Sequence, residues 1–165
     1  MPEVFPGRYT ARTPNDATAL FLIGMRVNTL RALPKARVVA SAMPRMLRHL
    51  FQHPESGLLS VHSWLGRTTI LLSYWRSTAD VQRFASDPDA PHAEAWRRYV
   101  REIGSSGAVG VWHELYTVRP GDYEAVYANM PAFGLAAAGE HLPVGAGNRT
   151  SAQRMAGGAG GAGGR

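Results

Sequence analysis

The stretch GLLSVHSWLGRTTILLSYW, Gly57–Trp75, decides the fold. Its two halves are rich in leucine, β-branched and aromatic residues, and they meet at Gly66-Arg67, where a tight turn fits. It reads as a β-hairpin. What flanks it matters as much. Upstream, from Pro34, apolar residues recur three and four apart at Ala36, Ala40, Met43, Leu47 and Leu50, with Arg37, Arg45 and Arg48 between them. That spacing predicts a helix which Pro34 can open and Pro44 should kink. Downstream, Ser77 followed by Asp80 forms an approximate capping box, and Val81, Phe84 and Ala85 give the next helix its inner face. Pro88 breaks that helix. HAEAWRRYVREI then predicts a further one with His92, Trp96, Tyr99 and Ile103 on a single face.

Two more strands bracket these helices. TALFLIGMRVN (Thr18–Asn28) is apolar on both faces until Arg26, and VGVWHELYTV (Val109–Val118) alternates. YEAVYANM (Tyr123–Met130) reads as one added strand. The order is β-α-β-β-α-β with a split second helix, which predicts a ferredoxin-like α+β domain with helices on one face of an antiparallel sheet. The other face would be left bare and apolar, and a face-to-face homodimer is the simplest cover. The expected boundaries are an irregular arm over residues 1–15, the folded domain over 16–131, an extension over 132–144 and a flexible glycine-rich tail over 145–165.

Composition narrows the function. The chain has 165 residues, 45% hydrophobic and 18% charged, enough for one domain with one core. Of the net charge of +6, three positive charges (Arg149, Arg154, Arg165) lie in the terminal stretch beyond Glu140, which has no acidic residue. No basic run interleaved with aromatics appears, so nucleic acid is not an expected partner. The absence of cysteine excludes disulfides, thiolate nucleophiles and sulfur-ligated zinc. The run ALFLIGM is too short to span a bilayer, no signal-peptide pattern is present, and a cytoplasmic location is the expectation. HExxH, P-loop, GxGxxG and G-x-S-x-G motifs are absent, which removes support for hydride transfer, phosphoryl transfer and elbow-type hydrolysis.

Candidate site residues follow from alternation. Val109, Val111, His113 and Leu115 share one face of their strand, and Trp112, Glu114 and Tyr116 the other. His113 should therefore point into a core or pocket. A core histidine satisfied by a carbonyl accounts for it equally well. His92 opens the helix whose Trp96 face packs on the sheet, so it too should point inward, where a neutral imidazole serves as base or ligand. Arg26 is placed to meet Glu114 across the sheet. Tyr127 and Asn129 alternate on the last strand and are read as capping the pocket. His49, His53 and His62 show no convincing ligand spacing.

FLIGMRVN, AMPRML, YWRS, AWRRY, VGVWHE.Y and YEAVYANMPAFGLA resemble the small bacterial and fungal proteins grouped with the fumagillin-pathway monooxygenase, near the antibiotic-biosynthesis monooxygenases. The resemblance runs from about Ala19 to Leu135. It implies a dimeric α+β barrel and oxidation of a small, mostly apolar metabolite of secondary metabolism by O₂, in a pocket between sheet and helices. Relatives in the wider superfamily work in two ways. In one, no cofactor is used: a deprotonated substrate passes an electron to O₂, with His113 as base, Trp112 or Tyr127 lining the pocket and Asn129 orienting an oxygen. In the other, a haem is held by a histidine of the helical layer, which puts His92 in the role of axial ligand and His113 on the distal side. Trp96, Trp75 and Met25 complete the expected substrate-binding set. A non-catalytic ligand-binding barrel is the rival from another class.

Overall fold

The computed structural model describes residues 1–88 and 91–159, and gives the backbone alone at positions 38, 39, 91, 92, 94, 95, 158 and 159. The predicted hairpin is present as β3 (Leu58–Trp64) and β4 (Ile70–Trp75), and it pairs with β2 (Thr18–Val27), which in turn pairs with β5 (Val109–Val118). The antiparallel order β3-β4-β2-β5 is that of the ferredoxin-like α+β fold. The β2–β5 ladder runs unbroken from Thr18 opposite Val118 to Val27 opposite Val109, so the two faces are fixed along ten residue pairs.

Four helices connect these strands: α1 (Leu33–Ala40), α2 (Ala42–Gln52), α3 (Thr78–Ser86) and α4 (Pro91–Glu102). The expected kink at Pro44 is realised as a break at Ser41, because Pro44 has no N–H to offer the Ala40 carbonyl. Ser77 caps α3 by accepting the Asp80 N–H at 3.1 Å. The buried Asp80 carboxylate answers both Arg76 and Arg83.

The core under the helices has two parts. Val27, Ala32, Ala36, Ile103 and Val109 form one, near α1 and α4. Ala19, Leu50, Trp75 and Val81 form the other, near α2 and α3. Trp75 is 2% exposed; burying an indole of that size stabilises the fold by about 4 kcal/mol.

The chain ends depart from expectation. The arm read as irregular contains β1 (Phe5–Arg12), the central strand of a second sheet between β6 (Tyr127–Met130) and β7 (Glu140–Pro143). The last predicted strand is shorter than expected and belongs to this second sheet. Pro6 and Gly7 masked β1 locally. Gly7 takes φ +92° at a register shift, where its N–H donates to Asn129 Oδ1 at 2.9 Å and Asn129 itself adopts φ +54°. Further on lie α5 (Leu135–Ala138) and α6 (Ser151–Ala159). Arg154 of α6 pairs with Glu124, so part of the expected tail is an ordered element with a tertiary contact.

The second sheet also changes the expectation of a bare outer face. Leu135 and Ala136 pack with Tyr74, Tyr123 and Tyr127, which covers the β3–β4 half of that face with the chain's own residues. Glu114 and Tyr116 on the β5 side stay exposed. Among the described residues no helix is long and apolar enough to cross a membrane.

Candidate functional site

Strand alternation sends Phe21 and Ile23 of β2 and Leu71, Ser73 and Trp75 of β4 to the helical side of the sheet. There they meet Met43, Met46, Leu47 and Leu50 of α2 and Val81 and Phe84 of α3 around a cavity of about 110 Å³. Among the described residues two polar groups border it, and each is already used. The Ser73 hydroxyl donates to the Phe21 carbonyl at 3.0 Å and accepts the Trp75 indole N–H at 3.0 Å. The walls therefore offer an occupant dispersion contacts and no free hydrogen-bonding group.

His113 stands beside this cavity, outside its lining. It pairs with Ile23 across the β2–β5 ladder, faces the helical side as alternation predicts, and its ring lies 5.9 Å from that of Phe21. It is exposed, against the expectation of an inward histidine. The reason is tertiary: β5 is a terminal strand of the sheet, and on its helical face Val111 and His113 fall between the two parts of the core, which hold Val109 and Leu115. Trp75 lines the cavity. Met25 packs instead with the Val27–Val109 part of the core.

Trp96 is a correction. It is 57% exposed and stacks on Tyr99 with ring centroids 5.4 Å apart. Tyr99 is the residue that turns inward, donating its hydroxyl to the Val109 carbonyl at 3.1 Å. The inward line of α4 runs through Tyr99 and Ile103, and Trp96 lies to one side of it. The His92 side chain lies outside the described residues. At about 110 Å³ this cavity is smaller than ordinary cofactor sites, and none of the described residues that line it is a histidine. Among the described residues no three His, Asp or Glu side chains are grouped to hold a metal ion.

The sequence model of a family described as monooxygenase af470-like matches residues 18–135, nearly the span of the motifs quoted above. The chain belongs to this family. A curated relative, monooxygenase af470 of Aspergillus fumigatus, is 28% identical over 149 residues, covering 78% of this chain and 53% of the relative. The chain thus spans about half the length of that relative. Among solved structures, an aldoxime dehydratase crystallised with butyraldoxime superposes with a TM-score of 0.62 at 16% identity, over 84% of this chain and 42% of the dehydratase, which shows the shared fold. SnoaB, a cofactor-independent oxygenase from Streptomyces nogalater, gives a TM-score of 0.43 at 19% identity, over 64% of this chain and 95% of its own.

The remaining candidates of this af470-like chain lie on the far side of the sheet or beyond it. Trp112 is on the outer face, opposite His113, so it cannot share a pocket with that histidine. Its indole N–H is buried without a partner, and it lies over Gly24, where a β-carbon would come within 2.8 Å of the indole nitrogen. Glu114 accepts the Tyr116 hydroxyl at 2.8 Å, which raises the Tyr116 pKa. Arg26 does not reach Glu114. It pairs with Gly110 along the ladder, while Glu114 sits opposite Leu22, and its guanidinium binds the Thr68 hydroxyl at 2.7 Å. Tyr127 and Asn129 belong to the second sheet, so neither caps the cavity beside His113. Asn129 is spent on the Gly7 turn.

Sequence reasoning overlooked a second polar cluster, on the outer face. His62 Nε2 accepts the Gly134 N–H at 2.9 Å, the Ser60 hydroxyl donates to the Gly134 carbonyl at 3.3 Å, and Phe133 stacks on the His62 ring at 4.1 Å. Burial lowers the His62 pKa, and it pushes Tyr74 up to about 12, with Tyr127 and Tyr123 adding to the rise. Tyr127 is raised by the same desolvation. The available signal was the alternation of Ser60, His62 and Trp64, which puts all three on one face.

Proposed function

We propose that this chain is a monooxygenase that oxidises a small, mostly apolar molecule without a cofactor, and that the cavity between the sheet and α2/α3 receives the apolar body of the substrate. The observation that carries this reading is the apolar lining among the described residues, in which the Ser73 hydroxyl and the Trp75 indole N–H are already hydrogen-bonded, on the same sheet face as His113. A substrate seated there buries its hydrocarbon part and keeps its acidic carbon or hydroxyl at the β5 side. His113 removes a proton from that group. The resulting anion gives one electron to O₂, the radical pair joins to a peroxide, and loss of water leaves one oxygen atom on the substrate as a carbonyl. For a methylene substrate the balance is R₂CH₂ + O₂ giving R₂C=O and H₂O. The apolar walls hold the hydrocarbon body of the substrate out of water.

A second reading has its own support, since no titratable side chain among the described residues lines the cavity: a ligand-binding domain without turnover. Oxygen uptake with a panel of hydroxynaphthalenes separates the two. The oxygenase reading expects uptake that His113→Ala reduces at least a hundredfold with little change in ligand affinity. Binding without uptake by the wild-type protein across molecules that native mass spectrometry shows to be bound would leave only the second reading. We further propose a homodimer through the uncovered β5 side of the outer face, where Trp112, Glu114 and Tyr116 lie. Light scattering at micromolar concentration that gives a monomer mass refutes it.

A further inference from the structure

A pair of histidines at the end of α2 belongs neither to the cavity nor to the outer-face cluster. His49 lies in the last turn of the helix and His53 caps it, four residues on. Their rings are 4.4 Å apart between centroids and tilted by 36°. His53 Nδ1 is 2.8 Å from Glu55 Oε1. A glutamate carboxylate is ionised at neutral pH and can only accept. His53 Nδ1 is therefore the donor, and in the neutral ring the Nε2 lone pair is left free.

We infer that His49 and His53 form a two-imidazole site for a borderline divalent transition metal, Cu²⁺ foremost, with Glu55 as the positioning residue that orients His53. Three features converge on it. A carboxylate holding the far N–H of a ligating imidazole is the usual outer-shell partner of a metal-bound histidine. Two imidazoles four residues apart at a helix end can bring a nitrogen each to one ion, with the N···N gap of roughly 3 Å that metal–nitrogen bonds of about 2.0–2.1 Å require. The C-terminal end of α2 adds a favourable dipole for a cation. The nearby Arg76 guanidinium, which bonds the Glu55 carbonyl, is balanced by Asp80. Water completes the coordination, in keeping with the lack of a third His, Asp or Glu donor among the described residues. The ion would clamp the final turn of the helix whose Met43, Met46, Leu47 and Leu50 roof the cavity.

The test is calorimetric titration of the full chain, free of any histidine tag, with CuSO₄ and separately with ZnCl₂ at pH 7.5. The expected result is one Cu²⁺ per chain, bound more tightly than Zn²⁺ as the Irving–Williams order requires. His49→Ala and His53→Ala should each weaken Cu²⁺ binding at least tenfold, and Glu55→Gln about tenfold. Electron paramagnetic resonance of the copper-loaded protein should show hyperfine splitting from two imidazole nitrogens. Circular dichroism checks that each variant is folded. Wild-type affinity no greater than that of the His49→Ala/His53→Ala double variant overturns the site, because the remaining histidines would then account for all binding. Unchanged affinity in Glu55→Gln overturns its positioning role.

Discussion

Gly24→Ala is the sharpest test of the packing described above. Gly24 sits in the middle of β2, where an added β-carbon would stand 2.0 Å from the Thr69 carbonyl oxygen and 2.8 Å from the Trp112 indole nitrogen. Ordinary contact begins at 3.4 Å, so the Thr69 backbone must retreat by more than about 1 Å. It is not free to do so. Thr69 N–H donates to the Met25 carbonyl at 2.8 Å, and its hydroxyl accepts the Met25 N–H at 3.0 Å. Losing or stretching two such bonds costs about 1 kcal/mol each, and overpacking adds about 1–3 kcal/mol. The expected loss is about 3–5 kcal/mol, and for a chain of this size the midpoint of thermal unfolding should fall by roughly 10 °C. Gly110→Ala is the internal control. It lies on the same sheet face, yet its added carbon meets nothing nearer than Asn28 Nδ2 at 3.7 Å. It should be neutral or slightly stabilising, by up to about 0.5–1 kcal/mol. Urea unfolding of the three proteins measures all of this. A Gly24→Ala loss below about 1 kcal/mol, or an equal loss in Gly110→Ala, refutes the reasoning.

Other outcomes follow from the same geometry. Because burial holds the His62 imidazole below its ordinary pKa of 6.5, its contribution to stability is present above pH 6.5 and is lost as the pH falls through the lower folded-state value; thermal melts from pH 8 to pH 5 should show a decline that His62→Gln flattens. Asn129→Ala, which loses the Gly7 N–H bond and puts at φ +54° a residue that tolerates the left-handed region less well than asparagine, should cost about 1–2 kcal/mol in urea unfolding without altering ligand binding, and Asn129→Gly should recover the backbone part. Trp75→Phe removes the N–H that Ser73 accepts and opens space beside the cavity, so denaturant titration should register a loss of about 1–3 kcal/mol.

The central sheet was legible because its determinants are local. Alternation named the strands, Ser77 and Pro44 marked a helix start and a helix break, and the face of His113 followed from counting by two. The depth of His113 was not legible, since it depends on β5 being a terminal strand of the sheet. Trp96 and Tyr99 are three apart on one helix and equally aromatic, and only the position of the Val109 carbonyl selects Tyr99. His62 was passed over for the same kind of reason: its partner Gly134 is 72 residues away. The second sheet was hidden because Pro6 and Gly7 obscure β1, and its neighbours in the sheet come from the other end of the sequence.

That last feature bears on how the molecule is made. β1 occupies the centre of its sheet, and Gly7 waits for Asn129, 122 residues later, before its bond can form. On a ribosome the first twelve residues must therefore stay unpaired while the whole βαββαβ unit emerges and collapses. Closing so long a loop is entropically slow, so this sheet should be the last part to lock. Until then both β6 and β7 present open edges, ready to pair with the same strand of another nascent chain. Shortening the amino terminus would make that exposure permanent, and its first symptom should be loss of solubility while the central sheet still folds.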